Sequence, residues 1–241
     1  LKEQPVASSI TRIQLGRAAL VLMLAALTMI FIYVPTEADQ GIVQRIFYFH
    51  VPCAWISFGA FALVAIASAF YLWLGDQPWD DLAYAAAECG MVFCTLFIIT
   101  GSLWARPIWG AWWTWDSRLT TSLILWLLYV GYLALRNMAD DTPQVARFAA
   151  VVGIVGALDI PVIIVSVRLW RTIHPSVIVT REGGRGLEDP RMIATLLVAV
   201  LAFTALFAWL LTLRVSELRA RSRLNDLRRE FALAEAAAGG R

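Results

Sequence analysis

The chain has 241 residues, 60% of them hydrophobic and only 16% charged, with a formal net charge of +2. Mean hydropathy is +0.68. These values exclude an ordinary soluble domain and indicate a polytopic membrane protein, and so small a net charge gives no reason to expect a nucleic-acid partner.

Six apolar segments, roughly 14–34, 51–74, 83–104, 119–136, 146–168 and 192–213, are each near the length a spanning helix needs. The fourth is short unless it reaches back into Arg118. The expected fold is all-α: a polytopic membrane protein whose six transmembrane helices form one bundle over 1–213, followed by a basic tail over 214–241. The connections are too small to hold a separate catalytic domain, and the chain is not read as an enzyme.

The first segment is long enough to span and lacks a short apolar core followed by a small-residue cleavage site, so it is read as a retained helix. The connection over 35–50 ends in Gln44-Arg-Ile-Phe-Tyr-Phe-His50. The next helix is expected to begin at Val51-Pro52, with proline in its first turn. Two acidic, turn-rich connections follow the second and fourth spans: Gly75-Asp-Gln-Pro-Trp-Asp-Asp81 and Asn137-Met-Ala-Asp-Asp-Thr-Pro143. Between the third and fourth spans lies Trp109-Gly-Ala-Trp-Trp-Thr-Trp-Asp116, four tryptophans in seven residues closed by an aspartate. Scattered tryptophans would suffice as interface anchors. This density, with glycine and aspartate, reads as a flat aromatic platform for a flat ligand. The fifth connection carries Leu169-Trp-Arg-Thr-Ile-His174-Pro175 and the glycine-rich Arg181-Glu-Gly-Gly-Arg-Gly186. In the tail, Val215, Leu218, Leu224, Leu227 and Phe231 stand among arginines. They fit either an amphipathic helix on the inner surface or a solvated juxtamembrane helix.

Basic residues set the orientation. Lys2, Arg12 and Arg17 at one end and Arg214, Arg219, Arg221, Arg223, Arg228, Arg229 and Arg241 at the other put both termini inside and the tryptophan loop outside. Arg168, Arg171, Arg181, Arg185 and Arg191 break the trend, as external arginines would if they met an anion. Cys53, Cys89 and Cys94 form no C-x-x-C or C-x-x-C-H and read as small packing residues. Glu88 and Asp159 are ionisable positions within spans. Interface exposure or packing explains each more simply than a proton relay.

The chain has two histidines, His50 and His174, and both fall at the outer face beside the tryptophan loop. Neutral imidazole suits an axial position on haem iron, and one histidine per face would make the site six-coordinate. Arg106, Arg118, Arg171 and Arg181 are placed to pair with propionates, or equally with lipid phosphate. Zinc suits the pair less, since a structural site needs four ligands and no cysteine is expected on that face.

Trp109-Gly-x-Trp-Trp-x-Trp-Asp116 resembles the WWD signature of membrane proteins that handle haem in cytochrome c maturation. The following Ser117-Arg-Leu-Thr-Thr-Ser122 resembles the haem exporter protein C (CcmC) branch rather than the larger CcmF and CcsA branches. The likeness extends over nearly the whole chain, through His50-Val-Pro52 and Arg171-Thr-Ile-His174. It implies that His50 and His174 are axial ligands of a transiently and non-covalently bound haem b. It also implies that Trp109, Gly110, Trp112, Trp113, Trp115 and Asp116 hold the porphyrin edge, with Arg118 beside them. The implied setting is the outer face of a bacterial inner membrane. The implied partners are a membrane-anchored haem chaperone (CcmE), an ABC transporter (CcmA with CcmB) and a one-span helper (CcmD). Competing readings are a b-type electron-transfer cytochrome, a transmembrane haem transporter, and a structural subunit whose tryptophans only anchor it.

Overall fold

The computed structural model describes residues 9–138, 142–170, 187 and 189–239. Among these the protein is all-α, and six helices are long and apolar enough to cross a membrane. Helix α1 (Ser9–Thr28) ends in a wider π turn over Met29–Tyr33. A 3₁₀ turn over Ile42–Ile46 leads directly into α2 (Phe47–Leu74). Then come α3 (Gln77–Trp109), α4 (Ser117–Met138), α5 (Pro143–Ala157), α6 (Asp159–Leu169) and α7 (Pro190–Gly239).

Two expectations change, and one element extends. Helix α2 starts upstream of Val51, so Pro52 lies inside it rather than in its first turn. The fully buried Phe47 and Tyr48 explain this: packing their rings in the core stabilises a turn that proline alone would not initiate. The fifth span is two helices, because Pro161 has no N–H for the Ala157 carbonyl and the chain breaks at Leu158. Helix α7 runs without interruption through the compositional boundary at 213/214.

Helices α2 and α3 form the centre, with α5 and α7 also against α2, α4 against α5 and α6, and α1 on the outside against α7. The central approach is close: a Cβ on Gly90 would lie 2.8 Å from the Ala60 Cβ. Phe61 and Tyr129 stack at 3.6 Å, and the Tyr129 hydroxyl donates to the Gly153 carbonyl at 2.9 Å. Cys53, Cys89 and Cys94 are buried free thiols within this packing.

At one end of the bundle charges meet charges. The Arg136 guanidinium donates two hydrogen bonds to the Asp80 carboxylate, at 3.2 and 2.9 Å, with both side chains buried. Glu88 accepts a corresponding pair from Arg214, and both guanidinium groups lie over the Tyr84 ring. Glu88 therefore has an ion-pair partner within the chain. Asp159 sits at the α5–α6 break, with Oδ2 buried and unbonded among the described residues.

Candidate functional site

The opposite end of α3 is built differently. Phe97, Gly101, Trp104, Ala105 and Ile108 recur at helical spacing and line one wall of a recess. His50 of α2 and the first turns of α4 close it, giving an empty volume of about 650 Å³ that includes the open mouth.

His50 is 6% exposed and sits in the first turn of α2. Its Nδ1 is 3.1 Å from the Phe97 carbonyl oxygen and 3.2 Å from Thr100 Oγ1. A carbonyl can only accept, and the Thr100 hydroxyl already donates to the Leu96 carbonyl at 2.6 Å. The proton of a neutral imidazole therefore belongs on Nδ1, and Nε2 carries the lone pair. Metal-ligating histidines are commonly oriented this way, with the second nitrogen donating to a backbone carbonyl. The ring is held by Phe97, at a centroid distance of 4.9 Å, and by Trp104, edge-on at 5.7 Å. Gly101 is required for this fit, since a Cβ there would lie 2.9 Å from His50 Cε1.

The tryptophan loop joins two helix ends. Gly110 closes α3 at φ +76°, a left-handed conformation that favours glycine, and its N–H bonds the Arg106 carbonyl at 3.0 Å. Asp116 is the N-cap of α4: its Oδ1 accepts from the Leu119 N–H at 2.9 Å. Trp109 and Trp113 line the recess, whereas Trp112 and Trp115 are 58% and 76% exposed. Trp113 and Trp115 meet edge to face at 77°, so the four rings do not make one flat platform. They supply two walls and two outward-facing rings.

Arg118 borders the recess and makes no side-chain hydrogen bond or ion pair among the described residues. Arg106 lies outside it and donates to the Gly110 carbonyl at 2.7 Å. Trp113 Nε1, Thr114 Oγ1 and Ser117 Oγ are buried without a hydrogen-bond partner among the described residues. These three buried polar atoms lie at the α3–α4 connection, where a bonding partner would stabilise them. An apolar aromatic recess with one oriented imidazole, one guanidinium and several uncommitted donors fits a flat, metal-bearing, anionic amphiphile. His174, Arg171 and Arg181 lie outside the described residues.

Sequence reasoning missed Phe97, Thr100, Gly101, Trp104 and Gln40, whose Oε1 accepts from Trp104 Nε1 at 2.9 Å. The i, i+4 spacing of 97, 101 and 105 was visible in the sequence, but nothing marked it as facing a histidine. The Gln40–Trp104 bond joins residues 64 apart and leaves no local signal.

Residues 4–230 match the family model described as heme exporter protein C, CcmC. The chain is similar to heme exporter protein C of Bradyrhizobium diazoefficiens, 44% identical over 181 residues covering 73% of this chain and 66% of the relative, just under two thirds of that protein's length. It is 37% identical to heme exporter protein C of Escherichia coli K12 over 192 residues, covering 78% of this chain and 75% of that one. The heme exporter protein C of Rhodobacter capsulatus is 31% identical over 206 residues, 85% of each chain. A long stretch of matched sequence and the six apolar helices lead to the same conclusion. The chain is a multi-pass membrane protein belonging to the haem exporter protein C (CcmC) family.

Proposed function

We propose that this chain binds haem at the outer face of a bacterial inner membrane, with both termini cytoplasmic, and hands it to a membrane-anchored periplasmic chaperone for cytochrome c maturation. His50 and His174 are the axial ligands, and the chain works beside an ABC transporter and a one-span helper. It handles cargo and does not catalyse. The observation that carries the reading is the His50 imidazole, fixed with Nδ1–H on the Phe97 carbonyl, in the wall of an aromatic recess bordered by Arg118.

Haem supplies an iron with open axial positions and two propionates; the chain's residues do the rest. The α2–α3 packing holds the His50 ring before any ligand arrives, so little side-chain freedom is lost on binding. Trp109 and Trp113 offer apolar wall, and Trp112 and Trp115 face outward where a second protein would meet them. Gly110 and Asp116 shape the loop by ending one helix and starting the next. Arg118 suits a propionate because a guanidinium matches a carboxylate with two parallel hydrogen bonds. The proposed binding is non-covalent, and the sequence has no C-x-x-C-H for a c-type attachment.

The test is an absorption spectrum of the purified chain, oxidised and reduced, beside His50→Ala and His174→Ala. A six-coordinate spectrum that is lost or becomes five-coordinate in each variant is expected. Haem-free or unchanged spectra in all three, even after purification with the chaperone, would overturn the ligand assignment and favour a purely structural subunit. Haem flux through proteoliposomes of the isolated chain would instead indicate a transporter.

A further inference from the structure

Beyond its spanning part, α7 continues as unbroken helix into the compartment that the proposed orientation makes the inner one. From Arg214 to Glu235 it rises by about 32 Å, and every described residue from Ala220 onward is exposed. Ala220, Leu224, Leu227 and Phe231 follow the alternating four- and three-residue spacing of a heptad seam. Leu224, Leu227 and Phe231 are 49%, 50% and 70% exposed. The opposite face is polar: Ser222, Asn225 and Arg229 look across an open gap at Gln77, Asp80 and Thr142. The extension thus turns its polar side to its own bundle and its apolar stripe away, the reverse of an ordinary surface helix. Its own bundle does not cover the stripe.

The flanking charges select the occupant. Beside the seam stand Arg221, Arg223 and Arg228 nearer the membrane, then Glu230 and Glu235 farther out. Two copies in one membrane send this helix out of the same face, so they would pair in parallel. Parallel pairing sets Arg223 against the second copy's Arg228, and Glu230 against the second copy's Glu235. Both contacts join like charges and disfavour self-association. The lipid surface is disfavoured by the backbone. No proline or glycine interrupts 191–238, and Arg214, where a bend would fall, is bonded to Glu88 and Glu217. A helix leaving the membrane without a break cannot lay its seam on it.

We propose that residues 214–235 form a docking helix for an amphipathic helix of a different protein. That helix is acidic beside its seam where it meets Arg221, Arg223 and Arg228, and basic where it meets Glu230 and Glu235. Flank charges of this kind decide partner choice in helix pairs.

The experiment uses the full chain in phosphatidylcholine nanodiscs and two labelled synthetic helices, each about four heptads long with a leucine seam. One carries glutamate flanks on one half and lysine flanks on the other; the second carries lysine flanks on both halves, so that it meets Arg221, Arg223 and Arg228 with like charge in either direction. The matched helix is expected to bind at least about tenfold more tightly. Leu227→Glu should remove binding, and Arg223→Glu with Arg228→Glu should turn the preference toward the all-lysine helix. Both variants alter exposed side chains, and unchanged helicity verifies that they fold. Equal binding of both helices, or of neither, overturns the proposal. So does a spontaneous Phe231→Cys cross-link between two copies in one nanodisc, or tighter binding to phosphatidylserine vesicles than to the matched helix.

Discussion

Helix α3 carries two polar regions of opposite character. At its N-terminal end Asp80 and Glu88 meet Arg136 and Arg214 in two-point hydrogen bonds, and Tyr84 lies under both guanidinium groups. Beside its C-terminal end Arg118 and the buried polar atoms of the tryptophan loop find no partner among the described residues. Charges that a chain neutralises internally hold helices together. The proposed function places its ligand beside the second region. On that reading the same helix separates architecture from function along its length.

The largest effect should come from breaking the Asp80–Arg136 pair. Asp80→Ala removes the carboxylate that takes two hydrogen bonds from buried Arg136 and should destabilise the protein by about 2 kcal/mol or more, read as thermal unfolding in detergent. The haem spectrum per folded molecule should not change. A variant that kept its stability and lost the spectrum would reverse the assignment of the two ends.

Gly101→Ala probes the C-terminal end alone. A new Cβ 2.9 Å from His50 Cε1 must displace the ring, at a cost of about 1–3 kcal/mol. Alanine returns up to about 1 kcal/mol in helix propensity. Stability should thus move little, while the six-coordinate spectrum shifts toward five-coordinate. Retention of the wild-type spectrum would show that the His50 orientation is not what the recess provides.

The smallest effect separates shape from charge at Asp116. Asn caps a helix about as well as Asp, whereas Ala costs about 1 kcal/mol. Asp116→Asn should bind haem like the wild type, and Asp116→Ala should unfold a few degrees lower, as measured by a thermal melt. If the two variants lost haem equally, the carboxylate would have a part in the site beyond its cap.

Much of this architecture was legible in the residues. Long apolar runs located all six spans, because lipid leaves few other solutions for a backbone. The Trp109–Asp116 segment stood out as the candidate site, and Gly110 and Asp116 within it suit the cap positions they occupy. What escaped was pairing across distance. Glu88 and Arg214 are 126 residues apart, and neither position signals the other. Pro52 looked like a helix start because its first-turn preference is local. The burial of Phe47 and Tyr48 that moves the start upstream is a tertiary effect. Ring orientation in the tryptophan loop depends on rotamers set by neighbours, so a string of four tryptophans suggested a platform where the chain makes a corner.

The length of α3 has one more consequence. From Asp80 to Gly101 the helix rises by about 32 Å, close to the roughly 30 Å thickness of a bilayer's oily layer. If the Asp80–Arg136 pair marks one boundary, the His50 ring falls near the other, at the dielectric step, and Trp109 and the loop beyond it fall on the watery side. A guest bound as proposed would keep its apolar body at the edge of the oil and its anionic rim among headgroups and water, and it would leave along the step without carrying a charge through a medium of low permittivity.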